Sequence, residues 1–76
     1  MLKTMTETTQ RRIAREVIRD VIRAYGPVTV EEIRHHGFGQ VSLTPSAFNE
    51  EITTVVNSRQ VRVYDIDTNT NVAFWS

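Results

Sequence analysis

Thr44-Pro45-Ser46-Ala47-Phe48-Asn49-Glu50-Glu51-Ile52-Thr53-Thr54-Val55-Val56-Asn57-Ser58 is the stretch that decides how this chain folds. Thr44 followed by Pro45 is a strong helix start, a cap residue with a first-turn proline beside it. Phe48, Ile52, Val55 and Val56 then fall at i, i+4, i+7 and i+8, an apolar stripe on a helix that should end near Ser58. Ser46, Asn49, Glu50, Thr53, Thr54 and Asn57 face the other way. The stripe reads as core, because the chain has few other residues with which to fill an interior. After Ser58 the period changes. Val61 and Val63 alternate with Arg62 and Tyr64, Asp67-Thr68-Asn69-Thr70-Asn71 supplies turn residues, and Val72 to Trp75 is a second β-prone run. Two strands joined by a polar turn predict a hairpin.

Upstream, Ile13, Ala14, Val17, Ile18, Val21, Ile22 and Tyr25 follow helical spacing with the charges opposite, so a first helix is expected. Thr4 with Glu7 has the spacing of a capping box, and a start one turn later, near Thr8, fits as well. Gly26-Pro27 ends the helix, the glycine tolerating a left-handed cap and the proline unable to continue the ladder. Val28-Thr29-Val30 is β-prone but too short for more than one rung of a sheet. Thr29 can cap a second helix with Glu31 and Glu32 in its first turn, running to about His36 and stopping at Gly37. Phe38 to Leu43 is then a connecting turn anchored by its two apolar ends.

At 76 residues the chain fits one domain, 1–76, with residues 1–5 a candidate for disorder. A core of this size leaves only about 3–5 kcal/mol of net stability. There is no cysteine to form a disulfide or thiolate metal site, which suits a reducing cytoplasm. The start, Met1-Leu2-Lys3-Thr4, has no signal-peptide run, and no stretch approaches the roughly 20 apolar residues that span a bilayer. A soluble cytoplasmic protein with no membrane partner is the expectation. Nine basic residues balance nine acidic ones, which argues against purely electrostatic binding to nucleic acid. The distribution is uneven: residues 1–25 carry an excess of three positive charges, and residues 26–76 an excess of three negative ones.

Helix, short strand, helix, turn, helix, hairpin is the order of the winged helix-turn-helix superfamily, an α+β fold of three helices, a short strand and a C-terminal β-hairpin wing. The chain resembles that superfamily over residues 8–76, through architecture and not through a residue motif. In size and self-contained design it also looks similar to small phage, plasmid or prophage proteins. The resemblance implies that Pro45 to Ser58 is the helix that enters the major groove and that Asp65 to Asn71 is the tip of the wing. It implies a DNA-binding transcriptional regulator in the cytoplasm.

On that reading the outward residues have suitable chemistry. Asn49 and Asn57 can bond adenine edges, and Thr53 and Thr54 can meet a thymine methyl. Ser46, Arg59 and Arg62 can take phosphates. Glu50 and Glu51 oppose it, since they would approach phosphates with the wrong sign, and the expected wing tip is not basic.

A different class of role rests on Arg11, Arg12, Arg15, Arg19 and Arg23, a basic strip along the first helix. It can bind a nucleic-acid backbone or an acidic protein, or it is a solvated face laced to Glu16 and Asp20 by pairs worth a few tenths of a kcal/mol. The alternative function is therefore a protein-interaction module or homodimer on the same scaffold, including a phage-type inhibitor or DNA mimic that docks an acidic surface on a host protein. His35-His36, one turn after Glu31 and Glu32, has metal-ligand spacing but no third ligand, so no metal is expected. Phe74-Trp75 either closes the core against the first helix or covers a neighbouring subunit. No nucleophile–base spacing or phosphate-cradling loop stands out, so neither an enzyme, a cofactor nor a small-molecule substrate is expected.

Overall fold

The computed structural model describes residues 6–74, so the candidate disorder at 1–5, the cap at Thr4 and the placing of Trp75 lie outside the described residues. The chain is α+β: α1 Glu7–Tyr25, α2 Val30–Gly37, a 3₁₀ turn Phe38–Gln40, α3 Pro45–Val56, and an antiparallel hairpin of β1 Val61–Ile66 and β2 Asn69–Phe74. No helix among these residues is long and apolar enough to cross a membrane.

Each helix begins on a threonine. Thr6 accepts the Thr9 N–H at 3.2 Å and caps α1, between the two starts the spacing allowed. Thr29 and Glu32 form a full capping box at α2, and Thr44 caps α3 ahead of Pro45. These caps satisfy N–H groups that have no partner inside the helix.

Gly26 does end α1, but not in a left-handed conformation: its φ is −62° and ψ 150°. The chain leaves the helix extended because Val28 must reach Val72, with which it exchanges two backbone hydrogen bonds of 2.8 and 2.9 Å. Glycine is needed at 26 for close approach. A Cβ there would lie 2.5 Å from the Ile22 carbonyl oxygen. The β-prone run 28–30 supplies the single rung expected of it, this bridge at Val28, and Val30 already belongs to α2.

The hairpin turn is also tighter than the polar run suggested. Only Asp67 and Thr68 form it, both at positive φ, 50° and 65°, and Asn69 to Asn71 are strand. Two consecutive left-handed residues match the twist of the strands, which is what closes a two-residue hairpin. β2 lies between β1 and Val28, so the hairpin is tied to the helices through its inner strand.

The interior is one cluster: Ala14, Ile18, Val21 and Ile22 from α1, Val28, Ile33 from α2, Phe48, Ile52 and Val55 from α3, and Val61 and Val72 from the hairpin. Phe48 is fully buried at its centre and meets Phe38 edge to face at 5.5 Å between ring centroids. Tyr25 departs from its stripe. It is 57% exposed and stacks flat on His36, 4.4 Å away.

Candidate functional site

The outward face of α3 carries Ser46, Asn49, Thr53, Thr54 and Asn57, all exposed. The two threonine hydroxyls are not idle donors. Thr53 Oγ1 donates to the Asn49 carbonyl and Thr54 Oγ1 to the Glu50 carbonyl, each at 3.1 Å. With those protons committed, a threonine here offers its methyl group and remaining lone pairs, whereas the two asparagine amides project from different turns with both a donor and an acceptor. Arg59 and Arg62 lie beyond the helix and are also exposed. Arg59 lines a shallow concavity with Arg23, Gln60 and Phe74, and Arg62 rests over the Tyr64 ring at 5.2 Å. The five α3 residues thus share one surface, and the two arginines stand at its C-terminal end and on β1.

Glu51 is where the structure parts most from the sequence reading. It does not face a partner's phosphates. It is 5% exposed, on the side of α3 turned toward α1. Arg11 Nη1 donates to Glu51 Oε2 at 2.8 Å, and Arg15 Nη1 to Glu51 Oε1 at 2.7 Å. Arg11 also donates to Glu50 Oε1 at 2.8 Å and to Glu7 at 2.8 Å through Nε. Burial alone pushes the Glu51 carboxyl up, but the hydrogen bonds and charges of Arg15 and Arg11 outweigh it and hold the group below the usual carboxylate range. Arg11, bonded by Glu50, Glu51 and Glu7, is raised above its ordinary value.

The expected basic strip is therefore not an open one. Arg11 and Arg15 are the α1 side of a clamp on α3. Arg19 pairs with Glu16 at 3.6 Å, and Arg23 pairs with Asp20 at 3.0 Å while its guanidinium sits 5.1 Å from the Phe74 ring. Arg12 alone of the five is exposed and makes no ion pair among the described residues. The physical reason is adjacency. α1 packs on α3, so the excess positive charge of the first segment meets the excess negative charge of the second inside the molecule.

The Glu–His constellation is likewise occupied by local contacts. Glu32 accepts from the Thr29 N–H at 2.8 Å, which holds its carboxyl below the usual range, and His36 is stacked on Tyr25 with His35 edge-on to it. Among the described residues no group of three His, Asp or Glu is placed to hold a metal ion.

Two positions escaped sequence reasoning. Glu51 could have been found from its spacing, three residues after Phe48 and four before Val55, which puts it on the stripe's own side. Gln10 carried no such signal; its Oε1 accepts the Ser42 N–H at 2.9 Å and ties the loop before α3 to α1. Comparison with protein-family models, with curated proteins and with solved structures finds no match, so a role has to be argued from the chain's own surface.

Proposed function

We propose that this chain is a non-catalytic winged helix protein that binds duplex DNA, with α3 as the helix that enters the major groove and the β1–β2 hairpin as the wing, in the manner of a small transcriptional regulator. The observation that carries the reading is the removal of Glu51 from the outward face of α3. With Glu51 buried and Glu50 held by Arg11, that face is a polar stripe of Ser46, Asn49, Thr53 and Asn57. Neutral amides, hydroxyls and methyls are groups that read base edges. The charge objection raised by the sequence thus loses most of its force.

The same geometry limits the electrostatic part of binding. Arg59 and Arg62 are the exposed cations at the C-terminal end of that face and on β1. Two such phosphate contacts correspond to a slope of about −2 in log K against log salt. Titration of fluorescent duplexes at several salt concentrations tests this. A slope near that value, with Asn49→Ala costing about 1–3 kcal/mol at one position of a selected site, is the expected result. Absence of binding at low salt and high micromolar protein removes the proposal.

A protein-interaction module on the same scaffold is the second reading. It is favoured by the exposed apolar residues of the hairpin, Val63 at 57% and Ile66 at 43%. Its DNA-mimic form loses one of its acids, since Glu51 is buried against α1.

A further inference from the structure

We propose that the outward face of α3 selects A·T pairs in the major groove and rejects G·C pairs, with Asn49, Thr53 and Asn57 as the residues that set the preference. This rests on the reading of α3 as the groove helix and adds which bases that helix accepts.

Base pairs differ in the groups they show in the major groove. Guanine shows two acceptors, N7 and O6, which call for an arginine or a lysine, and cytosine shows an amino donor, which calls for a carboxylate. Neither kind of side chain stands ready on α3. The helix, Pro45–Val56, contains no lysine or arginine. Of its two acids, Glu51 is buried with its oxygens bonded by Arg11 and Arg15, and Glu50 accepts from Arg11 at 2.8 Å. The arginine that follows, Arg59, lies beyond the helix beside Arg23, Gln60 and Phe74.

Adenine shows an acceptor, N7, beside a donor, N6, and an asparagine amide meets both at once. The side chains of Asn49 and Asn57 are exposed and make no hydrogen bond among the described residues, so the donor and the acceptor of each amide are unclaimed. Thymine shows a methyl group, which rewards an apolar contact. A free hydroxyl would bond a purine or a pyrimidine and discriminate poorly, but Thr53 Oγ1 is committed to the Asn49 carbonyl and Thr54 Oγ1 to the Glu50 carbonyl, each at 3.1 Å. Each bond settles χ1 of a β-branched side chain and so fixes where its methyl group stands. What the two threonines offer a base is then a positioned methyl, which thymine alone matches with its own. Asn49, Thr53 and Asn57 follow one another at intervals of four residues. Each interval is about 6 Å of helix rise, close to two base steps of about 3.4 Å, so the face from Asn49 to Asn57 matches an A·T block of about four pairs.

Selection from a randomised duplex library, followed by fluorescence anisotropy at low salt on duplexes that differ only in the selected block, tests this. The chain should recover blocks of A·T pairs and bind them about tenfold or more tightly than their G·C counterparts. An inosine·cytosine block separates the grooves, because inosine is guanine without its 2-amino group: it shows the G·C pattern in the major groove and the A·T pattern in the minor groove. It should bind as G·C does. Replacing the block's thymines by uracil removes the methyl groups. That should weaken binding severalfold for the wild type and for Thr53→Val, which keeps a methyl and drops the hydroxyl, and less for Thr53→Ser, which drops the methyl. Asn49→Arg should admit guanine at one position of the block. Equal binding of A·T and G·C blocks overturns the inference and leaves the DNA reading standing. So does an inosine·cytosine block that binds like A·T, or an Asn49→Arg chain that selects an unchanged block. A uracil penalty kept by Thr53→Ser and lost by Thr53→Val overturns the thymine contact. No binding to any duplex overturns the inference and the DNA reading together.

Discussion

Replacing Glu51 by alanine should cost this fold most of its stability, while the same change at its neighbour Glu50 should hardly register. Glu51 accepts two charge-assisted hydrogen bonds, 2.8 Å from Arg11 and 2.7 Å from Arg15, and its side chain is 6% exposed. A hydrogen bond to a charged partner contributes about 1.5–3 kcal/mol. Losing two would cost about 3–6 kcal/mol if both guanidiniums were stranded. They are not: Arg11 keeps Glu7 and Glu50, and Arg15, with its side chain 33% exposed, can turn to water. The net expectation is about 2–3 kcal/mol, against a total of only about 3–5 kcal/mol for a core of this size. At roughly 4–8 °C per kcal/mol, the midpoint falls by about 10–20 °C. Glu50, with its side chain 64% exposed, makes a single surface pair, worth about 0–1 kcal/mol. Thermal melts followed by circular dichroism on the two variants and the parent decide the matter. Equal, mild shifts for the two glutamates would refute the placing of Glu51 inside the α1–α3 interface, and with it the neutral face claimed for α3.

Protonation should act on the same group. Because Glu51 titrates below its unfolded value, its contribution is complete above the unfolded carboxylate pKa of about 4.3 and is lost as pH falls through the lower folded value; urea titrations from pH 6 to pH 3 should show a stability loss that Glu51→Gln reduces. Phe48→Ala should cost about 3–5 kcal/mol, comparable to the whole, so that no cooperative melt remains at 25 °C, while Ile52→Val should cost about 0.5–1.5 kcal/mol and still melt cooperatively. Gly26→Ala should lower the midpoint by several degrees, since its methyl would meet the Ile22 carbonyl at 2.5 Å and the chain must shift there. Thr68→Gly should raise the midpoint, by about 1 kcal/mol of stability, because a β-branched residue is held at φ 65° and glycine carries no such strain.

Helices were legible wherever cap and period agreed. Thr44-Pro45 with the Phe48–Val56 stripe placed α3 to within two residues, and Thr29 did the same for α2, because both signals are local. What escaped was set by contacts distant in sequence. The single rung expected of Val28-Thr29-Val30 is present, but that its partner is Val72 of β2 could not be read locally. Asn69-Thr70-Asn71 has turn composition and becomes strand, because pairing with β1 and the bridge to Val28 outweigh weak β propensity. The candidate site divides in the same way. The outward residues of α3 follow from periodicity alone, but the availability of Arg11, Arg15, Glu50 and Glu51 depends on which helix α1 packs against. Glu51 was readable in principle from its spacing to Phe48 and Val55. The charge on its side chain concealed it, since a buried acid is expected only once its partners are known.

Charge partition along this chain looks at first like a device for meeting a partner, a basic first segment and an acidic remainder. Inside the fold the two halves meet each other. Arg11 and Arg15 draw Glu50 and Glu51 to the α1 side of α3, and a rotation of α3 by one residue would either strand that acid in the interior without its arginines or push Phe48 into water. The clamp and the core therefore select the same rotational setting, and that setting turns Ser46, Asn49, Thr53 and Asn57 outward together. A segment's formal charge bears on its partners only after its internal pairs are subtracted. For this chain the subtraction leaves α3 with an outward face of short neutral groups.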